Sequence, residues 1–171
     1  MALIVGTDIP VGLDSTAVIL SMTAYPMKLL NFELGEPCYT IHLVALGFFW
    51  DLHNAGEFLG LRLDAANNSV VMEWNVSGHP SEKYSGCRII FKGLRSISLS
   101  PRDAELPLSE DSCVAAISKV ISESDARLEF RVKEQWADQP FNLWFEFQSG
   151  RSVEINAETA ELDGLLIERA T

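Results

Sequence analysis

The chain has 171 residues, 47% of them apolar, 22% charged and 9% aromatic, which fits a single globular domain spanning residues 1–171 and excludes intrinsic disorder. Thirteen basic residues stand against twenty-four acids, a formal charge of −11. That is the wrong sign for a phosphate backbone, which selects clustered Lys and Arg, so no nucleic-acid partner is expected.

The first third is the most apolar. Val18, Leu20 and Met22 alternate as one strand, Tyr25-Pro26 interrupts, and Lys28 to Leu34 reads as another. Ile41 to Trp50 reads as one strand buried on both faces, with a buried helix as the alternative. It contains the longest apolar run, Leu43 to Trp50, far short of the roughly 20 residues a membrane-spanning helix requires. The opening MALIVGTDIP has no basic region and meets Asp8 early, so no secretory leader is expected; a cytoplasmic location and no membrane partner follow as expectations.

From Phe58 onward the pattern has period 2, the mark of half-buried strands whose successive side chains point to opposite faces. Leu59, Leu61 and Leu63 are expected inward, Ala65-Ala66-Asn67-Asn68 supplies a turn, and Val70, Met72, Trp74 and Val76 continue the apolar face. After a polar stretch from Ser77 to Gly86, residues 87–99 place Ile89, Phe91, Ile97 and Leu99 on one parity, with Gly93 as a bulge. Residues 111–122 are ambiguous. Val114, Ile117 and Ile121 fall at helical spacing behind a Ser109 cap, yet an irregular strand fits equally. Residues 126–134 alternate cleanly, with Leu128, Phe130 and Val132 inward. They are expected to form a hairpin with 141–156, where Leu143, Phe145, Phe147, Val153 and Ile155 share a face around a Ser149-Gly150 turn. Residues 157–168 read as a short acidic helix or tail. The expected fold is mainly β, an antiparallel sandwich or strongly bent sheet with one or two short helices.

Few residues carry chemistry. Cys38, Cys87 and Cys113 are widely spaced with no Cys-x-x-Cys pair, and His42, His53 and His79 are scattered. No metal site, cofactor or disulfide framework is expected. Phosphate-cradling glycine loops and a serine nucleophile elbow are absent. The one polar cluster of catalytic residue types is Asp51, His53, Asn54 and Glu57. A carboxylate orienting His53 as a general base is one reading. The other is a connecting turn in which these groups bond local backbone, and it is the one expected here. Trp144 falls on the face opposite Leu143 and Phe145, either covered by another element or open to a partner.

Charge is unevenly distributed. Residues 1–57 sum to −5, residues 58–100 to +2 and residues 101–171 to −8. The acids Asp103, Glu105, Glu110, Asp111, Glu123, Asp125, Glu158, Glu161 and Asp163 form a candidate interaction surface, because fields add only when like charges share a patch.

Three stretches carry a resemblance: Asp51-Leu-His53-Asn-Ala-Gly-Glu57 running on to Asp64, Ser69 to Trp74, and Ile90-Phe91-Lys-Gly93-Leu. With Ser100-Pro101-Arg102 and Phe147-Gln148-Ser149-Gly150, they resemble small uncharacterised bacterial β-rich proteins, some of them grouped as immunity proteins that neutralise secreted toxins of rival bacteria. The resemblance spans about residues 50–157, with Asn54 standing where many relatives have Asp. It implies a protein that acts by binding and has no catalytic residues to carry over. Three functions stand as expectations: an immunity-type binder of a basic toxin, a small-ligand binder with an apolar cavity between sheets, and, last, an enzyme centred on His53.

Overall fold

Residues 26–35, 40–77, 83–120 and 141–167 are described by the computed structural model. Within them the chain forms twelve strands in three sheets. The strands are β1 (Lys28–Leu29), β2 (Phe32–Leu34), β3 (His42–Ala45), β4 (Phe48–Asp51), β5 (Gly56–Asp64) and β6 (Ser69–Val76). They continue as β7 (Tyr84–Lys92), β8 (Ser96–Ser100), β9 (Val114–Val120), β10 (Asn142–Phe147), β11 (Ser152–Asn156) and β12 (Thr159–Leu166). The five-stranded sheet runs β1-β12-β7-β6-β5, the four-stranded sheet β8-β11-β10-β9 and the three-stranded sheet β2-β3-β4.

The two larger sheets face each other through aromatic side chains. Trp74 of β6 and Phe91 of β7 meet Phe145 of β10 at ring-centre distances of 5.9 and 6.3 Å, and Phe58 of β5 meets Phe147 at 4.8 Å. Aromatic pairs in these tilted and edge-on geometries add to the area they bury. The three-stranded sheet contributes Phe32, Leu43 and Trp50 to the same core. Trp50 donates from its indole N–H to the Ala45 carbonyl at 3.1 Å and packs on Tyr84 at 5.7 Å.

The mainly-β reading holds, but the expected one or two short helices do not form. The described residues contain one short 3₁₀ turn, Leu108–Asp111, and no α-helix. Residues 114–120 are a strand because β10 offers a full antiparallel edge, from Asn142 opposite Val120 to Phe147 opposite Val114. The expected acidic helix or tail is β12, whose Ala160 and Leu162 point into the core while Glu161 and Asp163 lie beside Lys92 and Arg88. The sandwich is also not wholly antiparallel, since β1 runs parallel to β12. Asn31 supports that short strand by using its side-chain amide as a peptide, accepting from Leu162 N–H at 2.8 Å and donating to Leu162 C=O at 2.7 Å.

Three further expectations need correction. Ile41 to Trp50 is not one strand but a hairpin, closed by Leu46 and Gly47, both at positive φ (54° and 81°), as a tight two-residue hairpin turn requires. Residues 87–99 are not one bulged strand; at Gly93 (φ 65°) the chain leaves the five-stranded sheet and enters the four-stranded one as β8. In β5 the inward face is inverted at its start. A bulge between Phe58 and Gly60 turns Phe58 and Leu61 toward the core and leaves Leu59 58% exposed, while Leu63, opposite the buried Val70 near the end of this edge strand, keeps the expected face but is 56% exposed.

Elsewhere the alternation is as expected. Leu143, Phe145, Phe147, Val153 and Ile155 are buried, as are Val70, Met72, Trp74 and Val76. Val18, Leu20, Met22, Cys38, His79, Leu128, Phe130 and Val132 lie outside the described residues. The expected partner of residues 126–134, β10, has β11 on one edge and β9 on the other.

Candidate functional site

The β4–β5 turn brings three of its four polar candidates together. Asp51 accepts from the backbone N–H of His53 at 3.0 Å and from both the backbone and side-chain N–H of Asn54 at 2.8 Å. This is the local side-chain-to-backbone closure that short polar residues make in turns. Across the β3–β4 pair, His42 Nε2 lies 3.5 Å from the same carboxylate. Burial pushes the Asp51 carboxyl up, but the hydrogen bonds from Asn54 and His53, with His42 nearby, outweigh it and hold the group below its ordinary range. A carboxyl lowered on folding contributes stability above its unfolded pKa and loses that contribution as pH falls through the folded value.

His53 does not face a carboxylate. Its Nδ1 lies 2.7 Å from the Val114 carbonyl, and a carbonyl only accepts, so Nδ1 carries the proton and is committed to backbone. Cys113 is brought close to it, 3.8 Å from Nδ1, and donates its S–H to the His53 carbonyl at 3.3 Å. Burial, with Glu110 and Asp51 nearby, pushes the Cys113 thiol up. A protonated Nδ1 has no lone pair to take the thiol's proton, so the pair is not an activated nucleophile. Glu57 is apart from the turn, exposed on β5 opposite Asn75. Within the described residues no group of three or more His, Cys, Asp or Glu is placed to hold a metal ion. No helix among them is long and apolar enough to cross a membrane.

The acidic candidates fall on separate elements. Glu161 and Asp163 on β12 pair with Lys92 at 3.3 Å and Arg88 at 2.7 Å on β7, and Glu158 packs beside Gly93. Glu123 and Asp125 lie outside the described residues. Asp103, Glu105, Glu110 and Asp111 share the connection from β8 to β9, and that connection is fastened. Arg102 Nε donates to Asp111 at 2.9 Å and its Nη2 donates to the Leu106 carbonyl. Arg151 Nη2 donates to the Asp111 carbonyl at 2.7 Å while its guanidinium lies over Phe147, 4.6 Å from the ring centre. The backbone adds Asp103 N–H to Ser149 C=O at 2.7 Å and Ser149 N–H to Glu110 C=O at 3.3 Å. The Ser149 hydroxyl and Arg102 together hold the Asp111 carboxyl below its ordinary range.

Within this fastened connection, Asp103 through Ser109 are seven consecutive exposed residues. They present Asp103 and Glu105 together with Leu106 and Leu108, the latter 76% exposed. Beside them an open, shallow groove of about 460 Å³ is lined by Leu106, Pro107, Glu110, Glu146 and Phe147, among others. Sequence reasoning found the acids but missed the leucines, which carry no periodic signal in a loop. It also missed His42 and Cys113, whose partners are set by pairing between strands. Trp144, on the outer face of β10, is half-buried. No family model, curated protein or solved structure matches the chain.

Proposed function

We propose that the chain works by binding a basic protein partner, in the manner of an immunity protein meeting a toxin, with the β8–β9 connection as its contact surface. One observation carries this reading: seven exposed residues, acidic and apolar together, stand on a connection tied down at both ends. A loop already held in place has less freedom to lose on binding, so more of the contact energy appears as affinity. Leu106 and Leu108 supply apolar anchors, and a protein of charge −11 steers a basic partner toward them. The groove beside the loop is open rather than enclosed, which suits a partner's side chain better than a sequestered small ligand. A reducing cytoplasm goes with this reading, since Cys87 and Cys113 are free thiols.

The test is co-expression with a panel of basic secreted bacterial toxins, followed by binding kinetics with any toxin that the chain neutralises. The chain should restore growth, and Asp103→Lys with Glu105→Lys should slow association about tenfold or more at low salt, with the gap closing at high salt. Growth that is not restored, or association that ignores the charge reversal, overturns the reading.

A further inference from the structure

A sheet edge displays unpaired N–H and C=O groups, and proteins disarm such edges with charge, proline, bulges or short length, or by covering them. The described sheets have six edges, and five are disarmed. β1 has two residues, one of them Lys28, and β2 has three, with Glu33 at its centre. β4 has four residues and ends in Asp51. β5 carries a bulge together with Glu57, Arg62 and Asp64. β9 is capped by Thr40, whose N–H donates to Ile117 C=O at 3.0 Å and whose C=O accepts from Ile117 N–H at 2.7 Å.

β8 is different. Its five residues, Ser96-Ile97-Ser98-Leu99-Ser100, contain no charge and no proline. They pair with β11 in unbroken register, so there is no bulge. Four of the five are exposed, and Leu99, on the parity of the inward Val153 it opposes, is 63% exposed.

We propose that β8 is a self-association edge, pairing antiparallel with β8 of a second copy about a two-fold axis at Ser98. The sequence is self-complementary in this register. Ser98 meets its own counterpart, and Ile97 of each copy meets Leu99 of the other on the inward face, which covers the exposed leucine. An isologous contact of this kind closes after two copies, giving a dimer rather than a fibre. Charge selects the same occupant. Two chains of −11 repel over most of their surface, yet β8 is neutral; within five residues of it Lys92, Arg95 and Arg102 stand against Asp103 and Glu105, and Glu154 opposite Ser98 on β11 brings the local sum to zero on each copy. The four-stranded sheet becomes one of eight strands across the axis. Five paired residues bury less than the ~1,200 Å² typical of a stable interface, so the dimer is weak and concentration-dependent.

Sedimentation of the full chain, from about 1 μM to about 1 mM, is the test. The average mass should rise from 19.0 kDa toward twice that value. Added salt should strengthen the dimer by screening the −11 charges, the reverse of its expected effect on a basic partner. Leu99→Lys replaces an exposed side chain, so the monomer should melt as wild type while self-association weakens about tenfold or more. Ser98→Cys should form a covalent dimer under mild oxidation that wild type does not form. A mass of 19.0 kDa at every concentration, a dimer indifferent to Leu99→Lys, or a Ser98→Cys chain that does not cross-link overturns the proposal. None of these outcomes depends on the acidic loop.

Discussion

The β5–β6 and β10–β11 hairpins are built from the same kind of sequence, alternating apolar and polar residues across a short turn. In β10–β11 every alternating apolar residue is where the pattern puts it, with Leu143, Phe145, Phe147, Val153 and Ile155 at most 2% exposed. In β5 the pattern misleads, and Phe58 rather than Leu59 faces the core. The difference lies in the neighbours. β10 and β11 are interior strands, paired on both sides, and a one-residue slip would expose the whole apolar set. Among the described residues β5 is an edge strand, with β6 as its one strand partner. It can absorb a bulge at Gly60, whose φ of 151° is open to glycine and strained for any side chain. Alternation is thus a reliable guide to facing where two neighbours enforce it and a poor one at an edge.

Substitutions along the two hairpins should separate these cases. The largest effect belongs to Phe145→Ala. Phe145 is fully buried against Trp74 and Phe91, and its loss should cost about 3–5 kcal/mol in denaturant unfolding. A wild-type midpoint would remove β10 from the centre of the core. Gly60→Val comes next. No atom would obstruct the new Cβ, so its cost of about 1–3 kcal/mol would be backbone strain alone; a neutral result would mean the bulge is not needed. Smallest is Leu59→Ser, on the outward side of the β5 bulge and 58% exposed, expected within about 0.5 kcal/mol of wild type. A loss near that of Phe145→Ala would show that the outer face of β5 is covered.

Sequence made the interior strands legible for a physical reason, since their pattern is enforced locally by burial. Three misreadings share another cause. The hairpin turn at Leu46-Gly47 lacks the usual Asn-Gly chemistry and hides inside an apolar run. In residues 159–166 the acids mask an alternation of Ala160 and Leu162 that is present but short. At Gly93 the chain changes sheets without changing parity, and parity cannot say which sheet a strand joins. The site divides the same way. The closure of Asp51 on His53 and Asn54 is local and readable, whereas Cys113 reaches His53 across sixty positions of sequence. The ties from Arg102 and Arg151 that make the acidic connection a fixed surface are likewise properties of the folded chain.

The order in which strands lie beside β7 also sets an order of events. β5, β6 and β7 follow one another in sequence and in space, so they can zip together as a meander while the rest of the chain is still being made. The other side of β7 must wait for Thr159–Leu166, whose partners lie more than sixty residues earlier. Only after β12 is in place can Lys28–Leu29 find the strand it runs parallel to. Closing loops of this length before any contact repays them is slow. During that interval the open side of β7 is a docking strip for stray chains, and it is the arrival of β12 that closes it.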